Sequence, residues 1–410
     1  MYLSTIGITA EYNPFHNGHR WQLHTLREKF GNPPVIACMS GWFVQRGEIA
    51  LTDPWTRATM AIRSGIDLVL LLPAWYSLRS ADYFAAGAVK TLAATGIVNE
   101  LVCGAEAACP DASSTLSDTA AWALQTETEL QIRKLMQEGL SYGAAWETAA
   151  RKSCKDASWF SGSNNLLALA YMKAILKNQL PLQLITLPRQ GSAYNDTLLT
   201  PPYASASAIR ASLQKGNSPS SLACVLPEDS VALLKITETD YPARFARQEQ
   251  TLTTLLAYKL ARYFAADLYE HSGASRDVCD RLYNTRQELQ KGYTAFCQAI
   301  ANKRDPLPSI RRLTLQLLLQ RSRGFWMEMP EPSYLRVLAF NNRGRSLLKQ
   351  MKDTAVLPVI TKSGSEEQYR QTIMYPLLQL DAAAADLFHL LNGNTGTYGT
   401  YFTTSPVYVQ

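Results

Sequence analysis

The fold is decided near the start of the chain, where residues 3–20 read LSTIGITAEYNPFHNGHR. Residues 3–10 are apolar and β-branched and predict a strand, whereas residues 20–30 carry apolar side chains at helical spacing. Residues 11–15 form the turn between them, so His16 and His19 are expected at the helix N-terminus. Unpaired backbone N–H groups and the positive end of the helix dipole attract anions at that position. The stretch therefore predicts a phosphate site in the first βα unit of an α/β fold.

His16 and His19 form the candidate catalytic pair of this site. Residues three apart share a helix face, so both imidazoles can contact one phosphate and stabilise charge on a transferred α-phosphate. Gly18 has no Cβ and allows a nucleotide to approach the backbone closely. A helix cap or a core contact is the alternative role, but ligands of open α/β sheets bind at the carboxyl ends of strands. No G-x-x-x-x-G-K-S/T loop occurs in the chain to compete for the phosphate role.

Short β-rich runs alternate with helical patterns in the first half of the chain and predict a doubly wound parallel sheet. The runs are residues 35–39, 67–72, 100–103 and 182–187. Residues 112–152 interrupt them with two longer helical stretches, which we expect to be an insertion packed against the sheet. Asp53 and Pro54 predict a helix start, as N-cap and first-turn proline. Beyond about residue 230 the β signals fade, so we expect an α/β domain over residues 1–220 and a mostly α-helical domain over residues 230–410.

The composition is that of a globular protein of 410 residues, 47% of them hydrophobic, with a net charge of +6. The seven cysteines show no C-x-x-C spacing and no neighbouring histidine, so neither protein-bound zinc nor a disulfide framework is expected. No basic leader precedes the first apolar stretch, and no run is long enough to span a membrane. These features predict a cytoplasmic protein without a membrane partner.

Basic charge is concentrated in the second half of the chain, where residues 240–350 contain 18 Lys and Arg against 10 Asp and Glu. The basic clusters Lys303-Arg304, Arg311-Arg312, Arg321-Ser322-Arg323 and Arg343-Gly344-Arg345 are interleaved with Tyr283, Tyr293, Phe325, Trp326 and Tyr334. Cations mixed with aromatic rings suit a phosphate backbone with unstacked bases, so this region is a candidate RNA surface. A solvated helical surface over ordinary core aromatics is the alternative.

Several ordered segments together resemble one family. They are residues 10–19 (AEYNPFHNGH), 39–48 (MSGWFVQRGE), 80–85 (SADYFA), 103–106 (CGAE), 163–167 (SNNLL) and 205–210 (SASAIR), with Arg189 shortly before AYND at 193–196. In this order they resemble the bacterial tRNA(Met) cytidine acetate ligases, which have a fold of the HxGH nucleotidylyltransferase type. The specific motifs cover about residues 1–215, and helical character and basic charge continue the resemblance beyond them.

The resemblance implies an ATP-dependent ligase. Such an enzyme activates acetate as acetyl-adenylate with release of pyrophosphate, and then transfers the acetyl group to N4 of the wobble cytidine of elongator tRNA(Met). It implies that residues 1–220 bind ATP and that residues 230–410 bind tRNA through the anticodon loop. ATP is then a substrate accompanied by Mg²⁺, acetate is the second substrate, and DNA is not a partner.

The resemblance also implies a set of site residues. The ATP-binding positions would be Gly7, Ile8, Thr9, Ala10, Glu11, Tyr12, Asn13, Pro14, Phe15, His16, Asn17, Gly18, His19, Arg20, Gly104, Asn164, Asn165, Arg189, Ser205, Ser207 and Arg210. Asn165 has an alternative as a helix N-cap, and it stays open which of the two asparagines binds ATP. Arg46, Arg311 and Arg312 are candidates for contact with tRNA or substrate, although Arg46 could form a local ion pair with Glu48 instead.

Two other functions compete with this interpretation. An adenylyltransferase of cofactor synthesis would use the same fold, but a basic helical region of this length would then have no role. A non-catalytic, ATP-sensing RNA-binding protein is the second alternative, and the intact histidine pair argues against it.

Overall fold

The computed structural model describes residues 4–107, 112–153, 155–188, 199–328, 330–361 and 364–410. Its strands are β1 (Thr5–Ala10), β2 (Val35–Ser40), β3 (Leu68–Leu72), β4 (Val98–Ala105), β5 (Gln183–Pro188), β6 (Leu335–Phe340), β7 (Val359–Ile360) and β8 (Val407–Tyr408). Its α-helices are α1 (Asn17–Lys29), α2 (Pro54–Arg63), α3 (Ala74–Ser77), α4 (Ala81–Ala93), α5 (Ala112–Ala123), α6 (Thr126–Gln137), α7 (Tyr142–Lys152), α8 (Ser163–Lys177), α9 (Ala206–Gln214), α10 (Glu228–Thr237), α11 (Tyr241–Arg262), α12 (Ala265–Glu270), α13 (Arg276–Asn284), α14 (Tyr293–Ile300), α15 (Leu307–Leu318), α16 (Arg323–Met327), α17 (Asn342–Thr354), α18 (Tyr375–Leu391) and α19 (Thr400–Thr403). Short 3-10 helices cover Ala157–Phe160, Pro219–Leu222, Arg286–Lys291 and Glu366–Tyr369.

A mixed sheet forms the centre of the described structure, with strand order β5-β4-β1-β2-β3-β6-β7 and with β8 beside β6. The five strands from β5 to β3 run parallel, and β1 lies between β2 and β4. All residues of β2 and β3 are buried, as expected for parallel strands that helices cover on both faces. The predicted doubly wound parallel sheet is confirmed, and each of the four predicted runs overlaps a strand.

The C-terminal half of the chain returns to this sheet through β6, which the sequence analysis did not predict. β6 pairs antiparallel with β3, with Leu68 opposite Phe340 and Val69 opposite Ala339. Periodicity alone does not distinguish a short apolar strand from a buried helix segment, and β6 has only six residues. The expectation of a mostly helical second half is corrected in this respect, although helices prevail from residue 228 to residue 327. The division into domains at residues 220 and 230 stays a prediction.

The helices follow the sequence expectations with one difference. Residues 112–152 fold as α5, α6 and α7 rather than as two helical stretches, and α5 packs against α8 and β5. Asp53 caps α2 as predicted, because its carboxylate accepts the N–H of Thr56 at 3.0 Å. Within the described residues, no helix combines the length and the apolar character needed to cross a bilayer.

Arg57 on α2 ties together the carboxyl ends of the two central strands. Its guanidinium is fully buried and donates to four backbone carbonyl oxygens, those of Glu11, Ser40, Gly41 and Thr52. Burial lowers the pKa of this guanidinium to about 10, which leaves it charged at neutral pH. The chain segments that leave β1 and β2 are therefore held side by side, and the candidate site is built on them.

Candidate nucleotide site

A cavity of about 280 Å³ opens at the carboxyl ends of β1 and β4, the edge where open α/β sheets bind ligands. The residues that the sequence analysis predicted and that line it are Ile8, Thr9, Ala10, Glu11, Tyr12, Asn13, His16, Gly18, His19, Arg46, Gly104, Asn164, Ser205, Ser207 and Arg210. Further lining residues include Gln45, Glu48, Ala81, Phe84, Leu167, Tyr171, Leu187, Pro188 and Tyr203. Segments that are more than 150 residues apart in sequence thus meet around one cavity.

Several predicted ATP residues lie outside this lining, namely Gly7, Pro14, Phe15, Asn17, Arg20 and Asn165. A Cβ on Gly7 would lie 3.0 Å from side chains of α4 and β4, so this glycine allows close packing beneath the site. The Asn17 amide donates to the carbonyl oxygens of Pro202 and Cys224 and holds two loops to the start of α1. Arg20 is exposed on α1, and Arg189 lies outside the described residues. A direct ATP contact by these residues stays a prediction.

The two histidines stack on each other at the N-terminus of α1. Their ring centroids are 3.7 Å apart and the rings are inclined by 24°. His16 is the N-cap of α1, and its Nδ1 accepts the N–H of Gly18 at 3.1 Å. His19 Nδ1 accepts the backbone N–H of His16 at 3.3 Å. The capping role that sequence reasoning set against ligand binding is therefore real, and it coexists with a position in the cavity lining.

These hydrogen bonds determine which ring nitrogen carries the proton. A neutral imidazole has one donor nitrogen and one acceptor nitrogen. Because Nδ1 of His16 and of His19 accepts a backbone N–H, the proton of each neutral ring is on Nε2. The caps therefore orient both rings so that Nε2–H is the group able to donate to an anion.

The turn between β1 and α1 is held by contacts to other segments. Tyr12 has φ +44°, in the left-handed region, which costs a non-glycine residue roughly 1–3 kcal/mol. The centroid of its buried ring lies 4.8 Å from that of Phe15 and 4.9 Å from that of His19, and this packing holds the residue in its left-handed conformation. Asn13 Oδ1 accepts the N–H of Leu51 at 2.7 Å. The turn is thus pre-shaped before any ligand binds.

The two adjacent asparagines of α8 have different roles. Asn165 is buried, accepts the N–H groups of Glu106 and Ala107 at 2.8 and 2.9 Å, and donates to Ser158 O and Ser161 O. It lies inside α8, whose N-cap is Gly162, so the predicted alternative of an N-cap role for Asn165 is wrong. Asn164 lines the cavity, and its amide donates to the Glu106 carboxylate at 2.5 Å. The geometry favours Asn164 as the nucleotide contact and gives Asn165 the task of joining α8 to the end of β4.

The start of α9 brings a hydroxyl pair and an arginine to the cavity. Ser205 is the N-cap of α9, with Oγ 3.0 Å from Ala208 N and 3.0 Å from Ser207 Oγ. Arg210 donates to Asn13 O at 2.8 Å and to Glu48 Oε2 at 2.6 Å. Ser205 therefore caps α9 through its contact with the backbone, and both serines also line the cavity.

Glu48 lies between two arginines from distant parts of the chain. Its Oε2 accepts from Arg210, and its Oε1 accepts from Arg311 of α15 at 3.0 Å. Both ion pairs are mostly shielded from water, since no partner has more than 27% of its side chain exposed. These two ion pairs join α15 to the edge of the cavity, and the local ion pair between Arg46 and Glu48 that sequence reasoning considered stays a prediction.

Arg312 packs on the same loop as Arg311. Its guanidinium donates to Gln45 O at 2.9 Å and to Ser309 Oγ at 3.0 Å, and burial lowers its pKa to about 10. Gly47, with φ +70°, lies against α15 so closely that a Cβ would be 2.5 Å from Arg312 N. The two arginines that were candidates for tRNA or substrate contact therefore have protein partners at the cavity edge.

The aromatic residues interleaved with the basic clusters belong mostly to the core. Tyr293, Trp326 and Tyr334 are buried, with at most 6% of their surface exposed. The prediction that they stack on RNA bases is therefore wrong: Tyr293 and Trp326 lie on the buried faces of α14 and α16, and Tyr334 is buried immediately before β6. Tyr283 and Phe325 are half-buried, each with an arginine over its ring.

Sequence reasoning missed Arg57 and Tyr171. Arg57 resembles any arginine on an amphipathic helix, and only its burial shows that it holds the strand ends. Tyr171 on α8 lines the cavity, with its hydroxyl hydrogen-bonded to Thr9 Oγ1, and burial raises its pKa. Neither residue is part of a recognisable local motif.

Comparison with known proteins gives a consistent result over the whole chain. A family model described as HIGH Nucleotidyl Transferase matches residues 3–400. The chain is 32% identical over 424 residues to a tRNA(Met) cytidine acetate ligase of Clostridium kluyveri, with 98% of each chain covered. It is also 32% identical over 413 residues to a tRNA(Met) cytidine acetate ligase of a Thermoanaerobacter strain, again with 98% of each chain covered.

Two solved structures are similar to the fold described above. The apo crystal structure of Thermotoga maritima TmcAL superposes with a TM-score of 0.88 at 27% identity, covering 99% of each chain. The crystal structure of the same protein bound with alpha-thio ATP superposes with a TM-score of 0.85 at 25% identity, again covering 99% of each chain.

Proposed function

Because the chain belongs to the HIGH nucleotidyl transferase family and, by similarity over its whole length, to the tRNA(Met) cytidine acetate ligases, we propose that it joins acetate to tRNA at the cost of ATP. Acetate is first converted to acetyl-adenylate with release of pyrophosphate. The acetyl group is then transferred to N4 of the wobble cytidine of elongator tRNA(Met), and AMP leaves. The product nucleoside is N4-acetylcytidine.

The first step places specific demands on the cavity. An oxygen of acetate attacks the α-phosphorus of ATP, the bond from that phosphorus to the bridging oxygen breaks, and pyrophosphate leaves with the electron pair. Negative charge grows on the leaving group and on the oxygens of the α-phosphate. The Nε2–H groups of His16 and His19 and the first N–H groups of α1 can stabilise that charge. Ser205, Ser207 and Arg210 at the start of α9 would bind the β- and γ-phosphates.

The second step needs an exposed base. The lone pair on N4 of cytosine is delocalised into the ring and is a weak nucleophile, so acetate must arrive as the reactive mixed anhydride. N4 attacks the acetyl carbonyl carbon, AMP departs, and N4 loses a proton. An anticodon loop presents unpaired bases that a protein surface can hold. The proposal assigns this contact to the basic second half of the chain and a cytoplasmic location to the reaction, where tRNA and ATP occur.

Mg²⁺ enters the proposal as the companion of ATP. It prefers phosphate and water oxygens in octahedral geometry and is held by few protein carboxylates at such sites. The carboxylates among the described lining residues are Glu11 and Glu48, and Glu48 is already bound by two arginines. A magnesium ion carried by the phosphates fits this lining better than one held by a protein cage.

The observation that carries the proposal is the capped histidine pair in the cavity. Both rings accept a backbone N–H at Nδ1, so the neutral form of each carries its proton on Nε2, and both residues line the cavity. This arrangement supports nucleotidyl transfer over a role as a passive ATP sensor, which would need no pre-oriented donor pair.

The direct test is incubation of the protein with ATP, acetate and total tRNA, followed by mass analysis of the nucleosides. We expect N4-acetylcytidine in elongator tRNA(Met) only when ATP and acetate are both present, without coenzyme A. Pyrophosphate release with pantetheine phosphate or nicotinamide mononucleotide in place of acetate would favour an adenylyltransferase of cofactor synthesis. A requirement for acetyl-CoA would refute the proposal.

A further inference from the structure

Aromatic rings are exposed where α11 ends and α12 begins. Phe264, the N-cap of α12, has 67% of its surface exposed, although phenylalanine is most often buried. Its ring centroid lies 5.9 Å from that of Tyr283 on α13, which is half-buried. Tyr263, the residue before Phe264, is also half-buried and stacks on His271, with ring centroids 5.2 Å apart and the rings inclined by 26°. We call these four residues the α11–α13 ring surface.

Two cations accompany the rings, and neither forms an ion pair within the described residues. Lys259 Nζ lies 4.4 Å from the ring centroid of Tyr263, and the Arg286 guanidinium lies 4.0 Å from that of Tyr283. Lys259 has only 7% of its surface exposed, and burial lowers its pKa. A mostly buried cation without an anionic partner is costly, so this position favours the binding of an anion.

Direct contacts connect the ring surface to the edge of the cavity. His271 lies two residues before Gly273, where a Cβ would be 2.8 Å from Nη1 of Arg79. The backbone oxygen of Arg79 accepts Gln45 Nε2 at 3.3 Å, and Gln45 lines the cavity. The ring surface and the cavity are therefore neighbours, and Arg79 lies between them.

Rings with adjacent cations match the chemistry of a single-stranded RNA loop. Unpaired bases stack on aromatic side chains, and the phosphates pair with lysine and arginine. An apolar protein partner would bury the rings but leave Lys259 and Arg286 without an opposite charge. The carboxylate of Asp267 is engaged at the start of α12, where its Oδ2 accepts the N–H of Phe264 at 2.8 Å. An RNA loop is therefore the occupant that this surface fits best.

From this placement we propose that the α11–α13 ring surface binds the anticodon loop of the tRNA substrate while the target cytidine enters the cavity. The inference rests on the proposed function, which supplies the RNA substrate. The rings stack on unpaired bases of the loop, and Lys259 and Arg286 bind the adjoining phosphates. This surface takes the place of the Arg311-Arg312 cluster, whose guanidinium groups are bound to protein groups at the cavity edge.

The test measures the binding of unmodified elongator tRNA(Met), and of its isolated anticodon stem-loop, at several salt concentrations. Phe264→Ala should weaken binding about 5- to 150-fold, the effect of losing one base stack, and should leave the salt dependence unchanged. Lys259→Gln and Arg286→Gln should each reduce the slope of log K against log salt concentration by about 0.7, the value for one phosphate of a single strand. Tyr398→Ala, at an exposed ring, and Arg133→Gln, at an exposed cation of α6, are the matched controls and should bind as the wild type does.

Acetate-dependent pyrophosphate release without tRNA separates RNA binding from catalysis. It should be unchanged in the three variants, because their residues lie outside the cavity lining. Wild-type affinity for tRNA in Phe264→Ala and Lys259→Gln would overturn the inference. An equal loss of pyrophosphate release would assign these residues a structural role, and a changed oligomeric state with unchanged tRNA affinity would make the surface a protein interface; either result overturns the inference as well. If the wild type neither binds tRNA nor forms N4-acetylcytidine, the proposed function itself fails.

Discussion

Replacing Asp381 with asparagine should remove a pH dependence of stability that the fold builds into its core. Asp381 lies on α18 and is fully buried. Its Oδ1 accepts the N–H of Ala74 at the start of α3 at 2.6 Å, and its Oδ2 accepts the hydroxyl of Tyr334. Burial raises the pKa of this carboxyl from 3.8 to about 7, despite these hydrogen bonds and the nearby Arg336. Asparagine has the same shape and can still accept the N–H of Ala74.

The direction and size of this pH dependence follow from the difference between the pKa of Asp381 in the folded and in the unfolded protein. The folded pKa lies above the unfolded one, so the stabilising contribution of the neutral acid is fully present below pH 3.8 and is lost as the pH rises to about 7. Over that interval the loss is about 1.4 kcal/mol per pH unit, because one proton is involved. Between pH 5 and pH 7 the wild type should therefore lose about 2 kcal/mol relative to Asp381→Asn, because the slope falls as the pH approaches the folded pKa; this is a large part of a typical total of roughly 5–15 kcal/mol.

The assay is equilibrium unfolding in urea at pH 5, 6, 7 and 8 at constant ionic strength, with both proteins measured in parallel. Subtracting the free energy of unfolding of one protein from that of the other removes the contributions of all titratable groups that the two proteins share. Asp353→Asn, at an exposed carboxylate of α17, is the matched control and should give a difference independent of pH. The free energy of unfolding of the wild type minus that of Asp381→Asn should fall as the pH rises. A difference that stays constant, or that increases with pH, would refute the reasoning.

Three further predictions concern the site and its supports. His16→Asn should keep the cap of α1, because asparagine is a good N-cap residue, so the melting temperature should not change. Acetate-dependent pyrophosphate release should fall about 10²- to 10³-fold. A loss of stability as large as the loss of activity would contradict the catalytic role. Asn165→Ala removes the four hydrogen bonds of a buried amide and should lower the free energy of unfolding by about 3 kcal/mol. Asn164→Ala should instead weaken ATP binding in calorimetry with little change in stability. Gly47→Ala should lower the free energy of unfolding in urea by about 1–3 kcal/mol more than Gly31→Ala. The two glycines have nearly the same φ, +70° and +69°, but a Cβ would clash with α15 only at Gly47. Equal effects would show that the loop does not pack closely on α15.

Local patterns predicted the elements that carry the chemistry. The strand–turn–helix of residues 3–20 placed His16 and His19 at a helix N-terminus, and the structure has them there. Asp53 and Pro54 marked the start of α2 correctly. These predictions succeeded because hydrophobic periodicity and helix capping depend on residues within one or two turns of each other. The interpretation of Tyr293, Trp326 and Tyr334 as an RNA surface failed, since composition does not tell which side chains the tertiary structure buries.

The amino-acid sequence alone thus determined the α/β class, the alternation of strands and helices in the first half of the chain, and the position of the histidine pair at a helix N-terminus, because each depends on short-range pattern. Only the tertiary structure decided that β6 closes on β3, that Arg57 holds the strand ends, and that Glu48 is shared by Arg210 and Arg311. These contacts join residues far apart in the chain, and their energy comes from burial and from the exclusion of water, which exist only once the whole chain has folded.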